Sequence, residues 1–297
     1  MPFHLLFPLF SSVVFVIGMM FSKTAISRGA SPWTGTFLAN FWLAVCWGIF
    51  ALSSATFLPV ASWWQAGLVA LSFVLGQVLT YLAFQHGDIS VATPIFGIKV
   101  ILVAAMLSLL AEESIPAQVW VGAVLAAAGV AFVQSGTRSV KADSISRPKT
   151  ALSVVLAIGA ALCMSLFDVG LQTWGRRWGS LHFLATMFVG TGLLSCSFLP
   201  WVDHTSRLRR IKVTRLIVAG TMLMAVQALS MSWSLIAFGD ATRINIVYAS
   251  RGLWAVLLAW SLARIFGGNE AAHSTRVMLL RLFGAVLLTL SVVVALI

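Results

Sequence analysis

The sequence predicts an all-α integral membrane protein with ten transmembrane helices arranged as two inverted five-helix repeats. Three observations predict this fold. Of the 297 residues, 60% are hydrophobic and only 9% are charged, whereas soluble domains carry about 25% charged residues. The apolar residues fall into runs of about 20, the length that crosses a bilayer as a helix. The two halves of the chain also match each other weakly at constant offsets.

Ten apolar segments are long enough to span a bilayer. None alternates in polarity as a transmembrane strand does, so each is expected to be a helix. In chain order they are Leu5–Ile26, Thr34–Phe57, Trp63–Phe84, Ser90–Leu110, Ala117–Val133, Ala151–Trp174, Leu181–Trp201, Val213–Phe238, Ile244–Ile265 and Val277–Ile297. The longest polar linker follows the fifth segment. It predicts five-helix repeats at 1–137 and 150–297, joined by a cytoplasmic linker at 138–149.

The best match between the halves covers the fourth and ninth segments. The stretch GDISVATPIFGIKVILVA from Gly87 aligns with GDATRINIVYASRGLWAV from Gly239 at an offset of 152. Three pairs of chemically related residues follow at this offset: Thr93 with Asn245, Phe96 with Tyr248 and Lys99 with Arg251. A repeat of five spans enters the membrane from opposite sides in its two copies. The expected arrangement is therefore an inverted repeat with a pseudo-two-fold axis in the membrane plane.

The lysines and arginines predict the orientation. Most of them flank the side of the spans that holds the 138–149 linker, and the other side has only Arg176, Arg177 and Arg243. Because cytoplasmic loops of membrane proteins carry an excess of cations, the linker is expected inside and both termini outside the cytoplasm. These loops also explain the net charge of +11, which does not indicate a nucleic-acid partner.

The ten short-looped spans and the two GD-initiated segments resemble the drug/metabolite transporter (DMT) superfamily, EamA type. The resemblance covers nearly the whole chain. It implies a multi-pass protein of the cell membrane that is not an enzyme and needs no cofactor. The implied function is secondary transport, as an exporter, of a small organic solute such as an amino acid, organic anion or other metabolite. Transport would proceed by alternating access around a central site at the repeat interface.

Charged residues inside the spans mark the candidate solute site. Lys99 lies nine residues into its span and Arg251 seven into its own, about 13 and 10 Å along helices that rise 1.5 Å per residue. An inverted repeat brings these two cations toward one central level. Asp168 is the one carboxylate well inside a predicted span, so one positive charge remains. An anionic or zwitterionic solute would neutralise it.

Polar and aromatic residues complete the predicted site. The matched residues of the two basic spans step by three, which places them on one face of each helix. The candidate substrate-binding residues are Lys99, Arg251, Asp168, Tyr248, Asn245, Thr93, Phe96, Trp233, Gln77, Tyr81 and Asn40. No catalytic or metal-binding residue is predicted, since no phosphate-binding loop, H-E-x-x-H motif or paired cysteine ligands occur in the sequence.

Several alternatives remain open at this point. Asp168 is the candidate proton-coupling residue, or it forms a buried ion pair with Lys99 or Arg251 that only fixes helix packing. Intramembrane polar residues either line a cavity or bond a neighbouring helix. Closely spaced glycine and alanine in the fifth span predict close helix contact, within the fold or in a homodimer. A different class of function is a membrane enzyme or lipid-handling protein whose basic residues hold a lipid phosphate.

Overall fold

The computed structural model describes residues 3–54, 58–86, 95–134, 147–255, 257–258 and 275–297. Helices are the regular elements of these ranges, and those used below are labelled in chain order. They are α1 (Leu6–Ser27), α2 (Pro32–Ser54), α3 (Trp63–His86), α4 (Lys99–Leu110), α5 (Ala117–Gln134), α6 (Arg147–Gly170), α7 (Ser180–Ser195), α8 (Thr214–Phe238), α9 (Ala241–Tyr248) and α10 (Thr275–Leu296).

Seven helices of the described ranges are long and apolar enough to cross a membrane. They comprise Phe3–Ser27, Pro32–Leu52, Val60–Ala83, Ala151–Trp178, Ser180–Trp201, Thr214–Phe238 and Leu279–Leu296. Two further apolar helices, Lys99–Leu110 and Ala117–Val133, are shorter. The chain is thus an all-helical, multi-pass membrane protein, as predicted. The count of ten spans and their inverted repeat remain predictions.

One predicted span continues further than its apolar pattern indicated. Helix α6 passes into a π-helical segment, Leu171–Gly175, and ends with the turn Arg176–Trp178. A Cβ atom on Gly175 would lie 2.6 Å from Ile236, so only glycine admits this neighbour at van der Waals distance. Single π-helical turns inside α-helices occur frequently at functional sites.

The helices group into two compact units. The first unit comprises Met1–Leu5, Val78–Leu166 and Asp240–Ile297, and the second comprises Leu6–Gln77 and Phe167–Gly239. In the first unit α5 packs along α10 and α4 packs against α9. In the second unit α1 packs along α8 and α2 along α7. Each unit therefore draws its helices from both halves of the sequence.

Small residues set the closest helix contacts. In the first unit a Cβ on Gly284 of α10 would lie 2.8 Å from the carbonyl oxygen of Gly129 on α5. In the second unit a Cβ on Gly220 would lie 3.0 Å from the carbonyl oxygen of Gly18. Backbones that approach this closely exclude larger side chains. The small residues of the fifth span thus make the close contact within the fold, while the homodimer stays a prediction.

Candidate functional site

The GD pair of the second repeat forms the junction between α8 and α9. Gly239 ends α8 in the left-handed conformation, with φ of 63°, which glycine adopts without strain. Asp240 then caps α9, since its side chain accepts a hydrogen bond from the Arg243 backbone N–H at 3.4 Å. The Arg243 guanidinium donates to the Ala295 carbonyl at 2.6 Å. These bonds fix where α9 begins relative to α10 in the first unit.

Helical hydrogen bonding is interrupted just before Lys99 and again just before Arg251. Residues 95–96 are helical, residues 97–98 form a turn, and α4 begins at Lys99. Correspondingly, α9 ends at Tyr248, residues 249–250 form a turn, and the helix resumes at residue 251. The predicted span Ser90–Leu110 is therefore broken within its described part. Gly97 and Ser250 are weak helix formers, which favours breaks at these places.

The two breaks have the same backbone hydrogen bonds. In the first, the amides of Ile98 and Val100 donate to the carbonyls three residues earlier, at 3.0 and 3.4 Å. In the second, the amides of Ser250 and Gly252 do so at 3.1 and 3.2 Å. Each bond of the first break maps onto one of the second at the offset of 152. The backbone thus repeats the correspondence that the sequence predicted for Lys99 and Arg251.

This tightened turn positions the second cation. Bonds from residue i to residue i−3 are of the 3₁₀ type, in which side chains three residues apart eclipse. Arg251 accordingly lies over Tyr248, with Cζ 4.6 Å from the ring centroid. This is a cation–π contact, and the ring is only 6% exposed. Asn245, one step earlier, is buried and donates to the Ala241 carbonyl at 2.9 Å.

The first repeat presents Lys99 in a different environment. Lys99 is partly buried at the start of α4, and its carbonyl accepts a hydrogen bond from the Ser165 hydroxyl at 3.3 Å. Phe96 is partly buried before the turn and packs with Ala83 and Ala157. Tyr81 on α3 is also partly buried in this unit. Thr93 lies outside the described residues.

Two candidates in the second unit bond each other. The Asn40 side-chain amide donates to Gln77 Oε1 and to Ser195 Oγ, both at 2.8 Å, and Gln77 donates back to Asn40 Oδ1 at 3.1 Å. These bonds join α2, α3 and α7. Of the two alternatives for such residues, bonding between helices describes Asn40 best, since it is fully buried and satisfied by protein partners.

The remaining candidates also lie in the second unit. Asp168 is 1% exposed and lies three residues before the π-helical segment Leu171–Gly175. Trp233 packs against Phe7 in a tilted arrangement and edge-on against Phe238, with ring centroids 5.0 and 5.5 Å away. Trp233 is thus part of an aromatic cluster between α1 and α8. Within the described part of the chain, no group of three or more His, Cys, Asp or Glu residues could hold a metal ion.

The sequence analysis missed two residues on the helix face that carries Asn245, Tyr248 and Arg251. The Thr242 hydroxyl and the Trp254 indole N–H are buried atoms without a hydrogen-bond partner among the described residues. Both continue the spacing of three that joins Asn245, Tyr248 and Arg251. That spacing is the signal in the sequence that points to both residues. A buried donor without a partner is costly and indicates a place for an acceptor.

Comparisons with known proteins are consistent with this architecture. The model of the EamA-like transporter family matches residues 2–135. A solved structure described only as "Crystal structure of protein" is similar with a TM-score of 0.64 and 16% sequence identity, over 95% of each chain. No curated protein matches the sequence. Residues 2–135 of this chain are therefore similar to the EamA-like transporter family.

Proposed function

We propose that this protein is a secondary transporter that moves a small anionic or zwitterionic organic solute across the cell membrane by alternating access. The observation that carries the proposal is the matched pair of helix breaks, each followed by a cation. Broken helices form the solute sites of many secondary transporters. A lysine or arginine within a membrane span is costly and typically faces a cavity or pathway. Both features coincide at Lys99 and at Arg251.

The helix pairs support an inverted repeat of two times five helices. A pseudo-two-fold axis that exchanges the repeats maps the pair α1–α8 onto the pair α6–α3. Helices α3 and α6 are in contact in each unit: the Ser153 hydroxyl donates to the Ala83 carbonyl at 2.7 Å in the first, and Phe73 stacks on Phe167 at 4.7 Å in the second. The pairs α2–α7, α4–α9 and α5–α10 map onto themselves. Every pair named here thus obeys one symmetry.

The side chains of the two breaks favour a carboxylate or phosphate group on the solute. Arg251 offers a planar fork of N–H donors, and Lys99 offers a compact ammonium charge. Both cations begin a helical segment, and the positive end of a helix dipole also favours negative charge. Because α4 and α9 pack together in the first unit, one site lined by both helices is the simplest arrangement. The proposed direction is export, as the family resemblance implies.

Transport by the purified full-length chain in proteoliposomes tests this function. The assay uses pairs of solutes that differ only in charge, each carboxylate or amino acid against its amide, with and without an imposed pH gradient. We expect transport of the solutes that carry the carboxylate and little transport of the amides. We expect Arg251→Met to abolish transport of the carboxylate solutes. Transport of the amides at equal rates would contradict the proposed anionic site. Turnover of added phospholipid without solute transport would favour a lipid-handling enzyme instead.

We further propose that Asp168 couples transport to protons. Its side chain is buried in the second unit, and an intramembrane carboxylate that binds and releases a proton is a recurring part of transporters. Asp168→Asn keeps the shape and removes the titrating group. We expect this variant to exchange solute across the vesicle membrane without responding to a pH gradient. A response equal to that of the wild-type protein would exclude Asp168 as the coupling residue.

A further inference from the structure

The segment between α7 and α8 has a pronounced concentration of positive charge. It contains the short helix Thr205–Arg210, followed by a turn that leads directly into α8. Leu208 and Val213 are buried and pack with Ala25, Ala30 and Ile217 in the second unit. Two apolar anchors therefore hold the segment against α1 and α8, while its polar side faces outward.

Four cations on that outward side have no acidic partner among the described residues. The basic cluster, defined as Arg209, Arg210, Lys212 and Arg215, is exposed, and none of its members forms an ion pair with a described residue. The neighbouring Arg207 differs, because it pairs with Asp203 at 2.6 Å. That carboxylate is already occupied, since it also accepts hydrogen bonds from the Ser31 amide and from the Thr34 hydroxyl.

Local electrostatics make the cluster unfavourable without an anion. The N-terminus of a helix carries a positive partial charge, so cations in its first turn are destabilising. Helix α8 has no acidic residue in its first turn, and its N-cap residue, Val213, provides no side-chain acceptor. Arg215 lies within this turn and Lys212 lies just before it. The positive side chains and the uncapped N-terminus of α8 lie close together along the chain, and both would be stabilised by a ligand with several acceptor oxygens.

We propose that the basic cluster binds the phosphate-bearing headgroups of anionic lipids in the leaflet where α8 begins. Helix α8 is a candidate membrane span, and every residue of the cluster lies within five residues of its first residue, Thr214. This places the cations at headgroup depth. Basic residues that flank a span bind anionic lipids through this attraction. The inference concerns a surface outside the proposed solute site and does not depend on the solute.

Native mass spectrometry of the full-length protein from mixed micelles of phosphatidylglycerol and phosphatidylcholine tests the proposal. We expect the wild-type protein to retain phosphatidylglycerol about tenfold more than phosphatidylcholine. The variant R209Q/R210Q/K212Q/R215Q should lose most of this preference. The matched control R209K/R210K/R215K keeps all four charges and should retain it. Arg207 is left unchanged in both variants because it holds Asp203.

Each further outcome decides for or against the proposal. An unchanged preference in the glutamine variant, or no preference in the wild-type protein, would overturn it. A salt series on the wild-type protein covers the case in which the glutamine variant fails to fold, because high salt must remove the preference if charge carries it. Inorganic phosphate should not displace the lipid at equal concentration; full displacement would show a site for soluble phosphate and reject the lipid headgroup as its ligand.

Discussion

The two helix breaks share a backbone but differ in their side chains. At each break, two matched amides donate to the carbonyl three residues earlier, and a cation lies at the end of the turn. The first break then offers Lys99 after Phe96, whereas the second offers Arg251 held over Tyr248. The matching hydrogen bonds support the predicted correspondence between the two halves of the chain. The different side chains predict that the two breaks contribute differently to the proposed site.

Arginine and lysine bind anions in different ways. A guanidinium grips a carboxylate or phosphate through two parallel hydrogen bonds, so its orientation matters, while an ammonium acts as a point charge on a flexible stem. The ring of Tyr248 restricts the orientation of Arg251 by a contact at 4.6 Å. We therefore expect the second repeat to orient the solute and the first repeat mainly to supply charge.

Removing either cation should have the largest effect. We expect Arg251→Met and Lys99→Met each to reduce transport of a carboxylate solute by about 100-fold or more, since truncating one partner of a buried charge pair costs about 2–5 kcal/mol. Both variants should insert and melt near the wild-type temperature, because methionine fills a similar volume. The measurement is initial uptake in proteoliposomes together with thermal unfolding in detergent.

A large loss of thermal stability would change the interpretation of these variants. If Lys99→Met unfolds many degrees below the wild-type protein, the lysine stabilises the fold through a buried ion pair. Normal transport by Arg251→Met would remove the second break from the proposed site. Either result would break the correspondence between the two repeats.

Exchanging the two basic side chains sharpens the comparison. Arg251→Lys keeps the charge but loses the planar fork, so we expect transport to fall by about tenfold or more, as a charge-assisted hydrogen bond is worth about 1.5–3 kcal/mol. Lys99→Arg keeps the charge and should change transport by no more than about threefold, because a point charge is less demanding of geometry. The ratio of kcat/KM between the variants measures this asymmetry. Equal losses in both would show that the two breaks act alike.

The aromatic support of Arg251 should have an intermediate effect. Tyr248→Leu removes the cation–π contact, which is worth about 0.5–2 kcal/mol, so we expect KM to rise by roughly three- to thirtyfold. Tyr248→Phe retains the ring and serves as the matched control, with KM expected within about twofold of the wild-type value. An equal rise in both variants would assign the effect to the hydroxyl group and not to the ring.

Apolar periodicity and length predicted most helices to within a few residues. The predicted span Trp63–Phe84 corresponds to α3 at Trp63–His86, and Val213–Phe238 corresponds to α8 at Thr214–Phe238. These helix boundaries lie where the apolar runs begin and end, and the runs can be located in the sequence without knowledge of the fold.

Apolar periodicity and segment length could not predict the helix breaks. A break of two residues inside an apolar run leaves mean hydropathy unchanged, so Ser90–Leu110 was predicted as one span. The self-alignment nevertheless pairs Lys99 with Arg251, and the backbone hydrogen bonds just before the two residues match at the same offset. Hydrogen bonds between distant residues were equally unpredictable, as the reciprocal amides of Asn40 and Gln77 demonstrate. Such partners depend on the packing of helices, which no local pattern specifies.

The smallest expected effect concerns the residue that follows Arg251 by three. At the offset of 152, Trp254 corresponds to Leu102, so only the second repeat has an indole N–H at this position, and that N–H has no partner among the described residues. If this N–H donates to the solute, Trp254→Phe should raise KM by about threefold to tenfold, because one hydrogen bond contributes about 0.5–1.5 kcal/mol net.

Trp47→Phe is the matched control, because Trp47 on α2 also has a buried indole N–H without a described partner. Trp47 belongs to the second unit, whereas both breaks belong to the first, and the KM of Trp47→Phe should not change. A KM for Trp254→Phe equal to that of the control would show that Trp254 only fills space beside Arg251. Any difference between the two breaks would then have to come from Lys99 and Arg251 themselves.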